Sequence, residues 1–402
     1  MHKTTARRLR WTVPVVAGAA VAAAAILPGV AVGSDHPVLP TRTAAQLLAD
    51  LASVHSTALS GTLVETARLG LPDLPSTGAG SASLSWQNLV TGSHTARIWI
   101  DGPQKQRIAL VGDLAESDVV HNGKDVWVYS SSDNTASHLT LTKRSATGTK
   151  GSQATAQPDA SALPSPVVTP SQAAADALAA ASPTTRISVD ATARVAGRAV
   201  YQIVLSPKDH ASLITSVTIA LDSQTKVPLR VQVYGQNRTT PAFETTFTDI
   251  TFATPPASVF HFVPPTGAQV VQDSSALSLM SGRRFAEPGG VARDLVKVQP
   301  TGSTHVIGSG WTAVVVTDSS AVTGLTGLTG LTGPTGQGGS SRFESNAGQL
   351  ASILTKSATK VPQGLLLQTA LVSILLGNDG HMYVGAVNGA ALQAVASSGR
   401  AQ

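Results

Sequence analysis

The chain has 402 residues, 42% of them apolar and 4% aromatic, which leaves room for two or three ordinary domains with real hydrophobic cores. Of its 28 basic residues, four lie within the first ten positions. The remaining 24 nearly balance the 23 acidic residues, so the basic footprint of a nucleic-acid-binding protein is missing. The absence of cysteine excludes disulfides, a lipid-modified N-terminal cysteine, thiolate metal sites and cysteine nucleophiles.

Residues 1–33 have the pattern of an export signal. A basic start is followed by an Ala/Val-rich apolar stretch from Val13 to Val32, and Ala31-Val-Gly33 offers a small-residue cleavage site. We therefore predict a signal peptide over 1–33. The apolar stretch is also about twenty residues long, enough to span a bilayer, so an uncleaved signal anchor is the alternative. Either way, the sequence predicts an extracytoplasmic protein that is secreted, associated with the cell envelope, or anchored by this segment.

The first half of a predicted domain over 34–272 combines one helix with several strands. Thr43-Ala-Ala-Gln46 has capping-box spacing ahead of apolar residues on one helical face, which predicts a helix over 43–55. Asn122-Gly123 predicts a tight turn. Alternating or β-branched runs predict strands at 83–89, 95–100, 106–111 and 126–129.

The second half of this domain follows a Ser/Thr/Ala/Pro/Gln-rich stretch at about 145–168, which we interpret as a disordered insertion. A Thr-Pro-Ser-Gln sequence then predicts a second helix over 169–181. Between 186 and 271 apolar residues recur at every second position, as in Ala199 to Leu205, so short strands follow one another. We expect both strand-rich stretches to complete one sheet across the insertion.

The segment that closes this domain is Phe260-His-Phe-Val-Pro-Pro-Thr-Gly-Ala-Gln-Val-Val271. Its Pro-Pro pair cannot donate ladder hydrogen bonds, so we expect the chain to leave the sheet there. Strand alternation would then place Phe260 and Phe262 on one side and His261 in solvent.

Residues 283–402 are predicted to form a smaller α+β domain. Strands are expected at 304–307, 312–316, 365–376 and 382–387, and short helices around 348–354 and 390–396. A Thr-Gly-Leu repeat marks a Gly/Thr-rich loop at 323–340, too short and too poor in proline for a collagen-like triple helix.

No motif gives catalysis a clear location, so the prediction is a protein that is not an enzyme and carries no cofactor. Gly308 to Ala313 resembles a dinucleotide-binding glycine motif, but a strand follows where a phosphate-binding helix would have to begin. Ser-x-x-Lys occurs at Ser223 to Lys226 and at Ser357 to Lys360. Neither has the companion elements of a serine acyl enzyme, and the first lies in a predicted hairpin turn.

The charged and metal-binding residue types are equally dispersed. The ten histidines include no His-x-x-x-His pair, so no metal site is predicted. The carboxylates of Glu116, Asp118 and Asp125 are expected in turns, where solvation explains them better than acid–base chemistry.

Aromatic residues on predicted strands are the best candidates for a binding site. They either pack as core or line a concave apolar face that takes an acyl chain, and the sequence leaves both alternatives open. The predicted lipid-binding residues are Trp86, Trp99, Trp127, Tyr129, Tyr201, Tyr234, Phe260 and Phe262.

Four short motifs, spread over about 40–271, resemble the LolA-like superfamily of lipoprotein carriers, which includes the RseB/MucB-type envelope-stress regulators. They are Ser60-Gly61-Thr62 leading to Leu69-Gly-Leu-Pro72, Asn122-Gly-Lys-Asp-Val-Trp-Val-Tyr129, Val195-Ala-Gly-Arg-Ala-Val-Tyr201, and the closing segment from Phe260 to Val271. The resemblance implies an α+β fold with a half-open antiparallel β-barrel, a helical lid and a hydrophobic cavity for lipid tails.

Three functions follow from these observations. The first is an exported non-enzymatic carrier of lipid or lipoprotein acyl chains, implied by the resemblance. The second is a regulator that binds a membrane anti-sigma factor or another envelope protein through residues 283–402. The third, a secreted serine hydrolase, rests only on the two Ser-x-x-Lys matches.

Overall fold

The computed structural model describes residues 37–52, 58–70, 92–112, 115–141, 169–171, 174, 184–272, 305–318 and 357–398. The predicted signal segment, the insertion, the strand at 83–89, the helix at 348–354 and the Gly/Thr-rich loop lie outside these residues. Within them, no helix is both long enough and apolar enough to cross a membrane.

The larger of two sheets has twelve strands. They are β1 Leu59–Ala67, β2 Gly92–Ile100, β3 Lys105–Val111, β4 Glu116–Asn122, β5 Asp125–Ser130, β6 Thr135–Thr140, β7 Thr185–Val195, β8 Arg198–Pro207, β9 Ile214–Asp222, β10 Pro228–Gly235, β11 Phe243–Thr251 and β12 Gln269–Gln272.

The strand order of this sheet is β12-β6-β5-β4-β3-β2-β1-β11-β10-β9-β8-β7. β1 pairs with β11 across the predicted insertion, with Ser60 opposite Thr251 and a bulge between Thr62 and Leu63. The expectation that both strand-rich stretches complete one sheet is therefore confirmed. β12 and β7 stand at opposite ends of this order, so the described strands form an open sheet and not a closed barrel.

Three details of this sheet differ from the sequence expectation. β4 and β6 were not predicted. Phe260 and Phe262 do not lie on a strand, because a 3₁₀ turn over Ala257–Phe260 occupies that place. The chain leaves the sheet after β11 and passes through Pro265 outside it. It then returns as β12, which runs parallel to β6.

Helix α1, Ala44–Ala52, begins where its capping box requires. The Thr43 backbone N–H donates to Gln46 Oε1 at 2.9 Å, and the Gln46 N–H donates to Thr43 Oγ1 at 3.2 Å. The predicted first helix is confirmed. Its Leu47 side chain is fully buried against the large sheet, whereas Ala45 and Ala49 are exposed.

Two apolar clusters stabilise the large sheet. The sheet cluster is formed mainly by strands β1–β3 and β11: Leu59, Leu63, Ala96, Ile98, Ile108, Leu110, Val195, Val200, Ala220, Val227, Leu229, Phe247 and Ile250. The α1 cluster joins α1 to strands β8–β10: Leu47, Ala174, Tyr201, Ile203, Leu205, Val217, Ile219, Leu221, Val231 and Trp311. Ala174 belongs to the predicted second helix, which is helical at 170, 171 and 174.

The smaller sheet has the order β13-β14-β18-β17-β16-β15. Its strands are β13 His305–Ile307, β14 Val314–Asp318, β15 Thr359–Val361, β16 Gly364–Gln368, β17 Ser373–Gly377 and β18 His381–Gly385, followed by helix α2, Gly389–Ser397. The single strand predicted at 365–376 is wrong, because Thr369 makes a turn there. Its hydroxyl accepts from the N–H groups of Leu371 and Val372.

Helix α2 begins at a side-chain cap and covers one face of the smaller sheet. The Asn388 side chain accepts from the Ala391 N–H at 2.9 Å. Leu392 is fully buried with Val314, Val316, Leu375, Tyr383 and Val387, a group that we call the C-terminal cluster. The predicted helix at 390–396 is confirmed.

The described residues all belong to one compact unit, and the two sheets touch within it. Ser212 makes a β-bridge with Val387, and the Leu213 N–H donates to the Ala386 carbonyl at 2.8 Å. Gly235 permits close approach, because a Cβ there would lie 2.6 Å from the Ala370 carbonyl oxygen. The predicted boundary at 273–282 lies outside the described residues, so the division into domains stays a prediction.

Candidate functional site

Three of the predicted lipid-binding aromatics lie on one face of the large sheet. Trp99 follows Ile98, a member of the sheet cluster, so strand alternation puts its indole on the opposite face. Trp127 and Tyr129 share that face with Trp99 through the registers of β3, β4 and β5. These rings therefore point away from the sheet cluster.

The connection from β11 to β12, residues 252–268, crosses this aromatic face, and we call it the closing strap. Its Phe260 is 1% exposed, and its Phe262 ring lies 5.4 Å from Trp127 and 5.7 Å from Tyr129. On the strand side, His138 stacks on Trp127 at 4.2 Å. The aromatic face is a packed contact between sheet and strap.

An arginine that forms a salt bridge within the sheet also contacts the strap beside these rings. Arg107 donates to both carboxylate oxygens of Asp118 at 3.0 Å and reaches the Val259 carbonyl at 3.4 Å. Its guanidinium also lies 5.6 Å from the centre of the Trp99 ring. The expectation that Glu116, Asp118 and Asp125 lie in turns is wrong, because β4 and β5 contain them and Asp118 is buried.

Trp127→Ala should lower the free energy of unfolding by about 2 kcal/mol, less than the roughly 3–5 kcal/mol of a fully buried tryptophan, because the indole is only half-buried. Trp127 lies on the face of the sheet that points away from both apolar clusters, so fatty-acid affinity should not change. Urea titration and fatty-acid binding on this variant, with Trp127→Phe as the ring-retaining control, measure both effects. A selective loss of affinity would make Trp127 a ligand contact.

The remaining predicted residues lie elsewhere. Tyr201 belongs to the α1 cluster, and its hydroxyl donates to the Pro40 carbonyl at 3.0 Å. The Tyr234 hydroxyl donates to Gln232 Oε1 at 3.3 Å, and burial raises the pKa of Tyr234. Trp86 lies outside the described residues. The structure thus brings Trp99, Trp127, Tyr129, Phe260 and Phe262 to one face and separates Tyr201 from them.

Within the described residues, the α1 cluster is a continuous apolar surface that small elements cover. Tyr201, Ile203 and Leu205 alternate along β8, and Val217, Ile219 and Val231 continue the same face across β9 and β10. Within the described residues, α1, Ala174 and Trp311 cover this face, and Leu47 is the only residue of α1 that is fully buried.

Two residues at the border of this face were not among the predicted site residues. Trp311, 7% exposed, enters the cluster from the 3₁₀ turn Gly310–Thr312, and its indole N–H donates to Thr185 Oγ1 at 2.7 Å. Lys226 Nζ lies 5.2 Å from the centre of the Tyr201 ring. Lys226 is the lysine of the Ser-x-x-Lys motif that begins at Ser223. That spacing is typical of an enzyme motif and gives no sign of a cation near an apolar face.

The metal, serine and glycine motifs considered in the sequence can be compared with the described residues. They contain no group of three or more His, Asp or Glu side chains placed to hold a metal ion. Ser223 lies in the turn after β9, as predicted, and the Lys226 ammonium donates to the Ser223 carbonyl oxygen. The strand β14 directly follows the Gly310–Thr312 turn, so no phosphate-binding helix follows the glycine motif.

One family profile matches part of this chain. The profile of a family described as "Predicted periplasmic protein (DUF2092)" matches residues 82–272, just under half of the chain. None of the curated proteins matches it.

Several solved structures are similar to this chain. A chain of the Pseudomonas aeruginosa MucA/MucB complex is 16% identical with a TM-score of 0.37, over 88% of this chain and 96% of that one. An uncharacterized conserved protein from Thermus thermophilus is 12% identical with a TM-score of 0.31, over 57% and 99%. A LolA superfamily protein from Nitrosomonas europaea is 10% identical with a TM-score of 0.19, over 55% and 99%.

Proposed function

We propose that this chain is an exported, non-enzymatic envelope protein that binds acyl chains of a lipid or lipoprotein against the α1 cluster, with α1 as a helical lid over a half-open barrel. The observation that carries the proposal is the pairing of a continuous apolar face on β8–β10 with a nine-residue helix, which packs on it through the buried Leu47 and the partly buried Leu48 and Leu51. The export pattern of residues 1–33 and the description of the matching family support the extracytoplasmic location.

The lid is easily displaced for a physical reason. A helix of nine residues is marginal by itself in water, so α1 depends on its packing against the sheet. An acyl chain gains about 0.8 kcal/mol for each buried methylene, and the face it would cover is already apolar. An acyl chain of ordinary length can therefore replace the contacts that Leu47 makes with the sheet.

Under this proposal the predicted aromatic residues have two different roles, one in the binding site and one at the closing strap. Tyr201 is a direct wall of the site, because it belongs to the α1 cluster. Trp99, Trp127, Tyr129, Phe260 and Phe262 hold the closing strap on the other face, and we propose that they maintain the curvature of the sheet.

Titration of the chain without residues 1–33 with a fluorescent fatty acid tests the proposal, with mass spectrometry of organic extracts from the purified protein as a second readout. Removing the N-terminal segment matters, because its own apolar stretch would bind lipid. We expect saturable binding and a co-purified acyl species. A preparation that neither carries lipid nor binds the probe would refute the carrier function.

The alternative is a regulator that binds a membrane anti-sigma factor or another envelope protein. The six-stranded sheet favours it, since α2 covers only one face and, within the described residues, the other carries the partly exposed Ile374, Leu376 and Val384. Pull-down from envelope extracts discriminates the two functions. A retained membrane protein that Val384→Glu releases supports the regulator, and normal acyl binding without a partner supports the carrier.

A further inference from the structure

The α1 cluster has different chemistry at its two ends. Tyr201, Ile203 and Leu205 occupy one face of β8, and at about 3.3 Å per residue they span roughly 13 Å. Tyr201 pairs with Leu221, at the end of β9 that leads into the turn of Lys226. Leu205 lies at the other end, two residues before Pro207.

The Leu205 end is closed by an apolar wall. Thr185 pairs with Pro207 in the β7–β8 register, and Trp311 donates its indole N–H to the Thr185 hydroxyl. This hydrogen bond fixes the ring at the far end of the apolar face from Tyr201. A chain lying along β8 from Tyr201 would therefore meet the Trp311 ring.

The Tyr201 end carries a half-buried cation. Lys226 has a left-handed backbone, with φ of +63°, which turns its side chain back over the Tyr201 ring. The neighbouring carboxylate of Asp222 is committed to Arg198 through contacts of 2.6 and 3.0 Å. No carboxylate of the described residues forms a salt bridge with Lys226, whose ammonium instead donates to the Ser223 carbonyl.

From this asymmetry we infer the ligand class and its direction. The ligand is a single acyl chain with an anionic headgroup, the headgroup lies at Lys226, and the terminal methyl group meets Trp311, which limits the chain length. This inference rests on the proposed function and adds two specificity-determining residues to it. Free fatty acids and anionic acyl lipids share the required chemistry.

A chain-length series of fatty acids tests the position of Trp311. In the wild-type protein, affinity should rise about fourfold per methylene and then stop rising at a fixed length. Trp311→Ala should move that limit to longer chains, and Trp311→Phe should move it less. A limit that stays in place in a folded Trp311→Ala variant overturns the assignment.

The position of the headgroup is tested with fatty acids and the matching fatty alcohols. Lys226→Met should weaken fatty-acid binding about tenfold and leave alcohol binding unchanged, because only the acid pairs with the ammonium. Lys124→Met, an exposed lysine in the turn between β4 and β5, is the matched control. An anionic lysophospholipid, which has one acyl chain, and its zwitterionic counterpart, compared in the same way, separate the two ligand sources. Equal losses for acid and alcohol contradict the inference.

Quenching in the wild-type protein gives a readout that needs no stable Trp311→Ala variant. A fatty acid brominated near its terminal methyl group should quench tryptophan fluorescence, and Trp311→Phe should remove most of that quenching. Bromine near the carboxylate should quench far less. If fatty acids bind and these patterns are absent, the inference fails alone, whereas absence of all binding refutes the proposed function as well.

Discussion

Asp222→Ala should lower the free energy of unfolding by about 3–5 kcal/mol, since removing one partner of a buried ion pair leaves an uncompensated charge. The Asp222 side chain is 1% exposed and accepts two hydrogen bonds from Arg198. It also accepts from the backbone N–H and the hydroxyl of Thr225 at 2.8 and 2.9 Å, which fixes the turn before Lys226. The Arg198 guanidinium, 4.8 Å from the Phe252 ring, would lose its counter-charge.

Urea unfolding followed by circular dichroism measures this loss. Asp190→Ala is the matched control, because Asp190 is an exposed carboxylate on the neighbouring strand β7. It should change stability by no more than about 0.5 kcal/mol. Equal, small losses in both variants would show that the Arg198–Asp222 pair contributes nothing specific.

The same pair predicts an acid dependence. Burial raises the pKa of Asp222, but the hydrogen bonds from Arg198 and Thr225 outweigh it, so the folded-state pKa lies below the ordinary value. Its contribution is complete above the unfolded-state pKa of about 3.9 and is lost as the pH falls through the folded-state value. The stability difference between wild type and Asp222→Ala should therefore shrink below about pH 4.

Leu47→Ala should have opposite effects on stability and on binding. Truncating this fully buried leucine should cost about 2–5 kcal/mol in the packing of α1. Under the proposed function α1 and the acyl chain compete for one face, so a weaker lid should raise the fraction of binding-competent protein and tighten apparent fatty-acid affinity by about tenfold or more. Parallel urea and fluorescent fatty-acid titrations measure the two effects.

Leu392→Ala provides the matched control for Leu47→Ala. Leu392 is a fully buried leucine of α2 in the C-terminal cluster, so its truncation should cost comparable stability without changing fatty-acid affinity. If Leu47→Ala weakens binding instead, Leu47 is a wall of the site and α1 is not a displaceable lid.

The elements that the sequence predicted well are those that local chemistry determines. α1 follows from the reciprocal hydrogen bonds of Thr43 and Gln46, which lie three residues apart. The turn at Ser223 to Lys226 and helix α2 are local in the same sense. Alternation along β8 likewise identified Tyr201 and its apolar neighbours before any contact was known.

The elements that were missed depend on distant partners. Asp118 was expected in a turn because an unpaired carboxylate is usually solvated. Its partner Arg107 lies on another strand, and this ion pair stabilises the carboxylate on β4. Phe260 and Phe262 alternate like strand residues, yet they belong to a strap that the rings of Trp127 and Tyr129 hold. Trp311 reaches the α1 cluster from a separate sheet, through a hydrogen bond that spans 126 residues. Local periodicity contains no information about such pairings.

Hydrogen exchange of the chain without residues 1–33, free and saturated with a fatty acid, tests most directly whether acyl chains bind beneath α1. The α1 amides at 44–52 should exchange faster, because the ligand displaces the helix, and the amides along β8 and β9 should exchange more slowly. Exchange in the strap at 252–268 should not change. Bound fatty acid that leaves α1 unchanged, or that protects only the strap and β5, would contradict binding beneath α1.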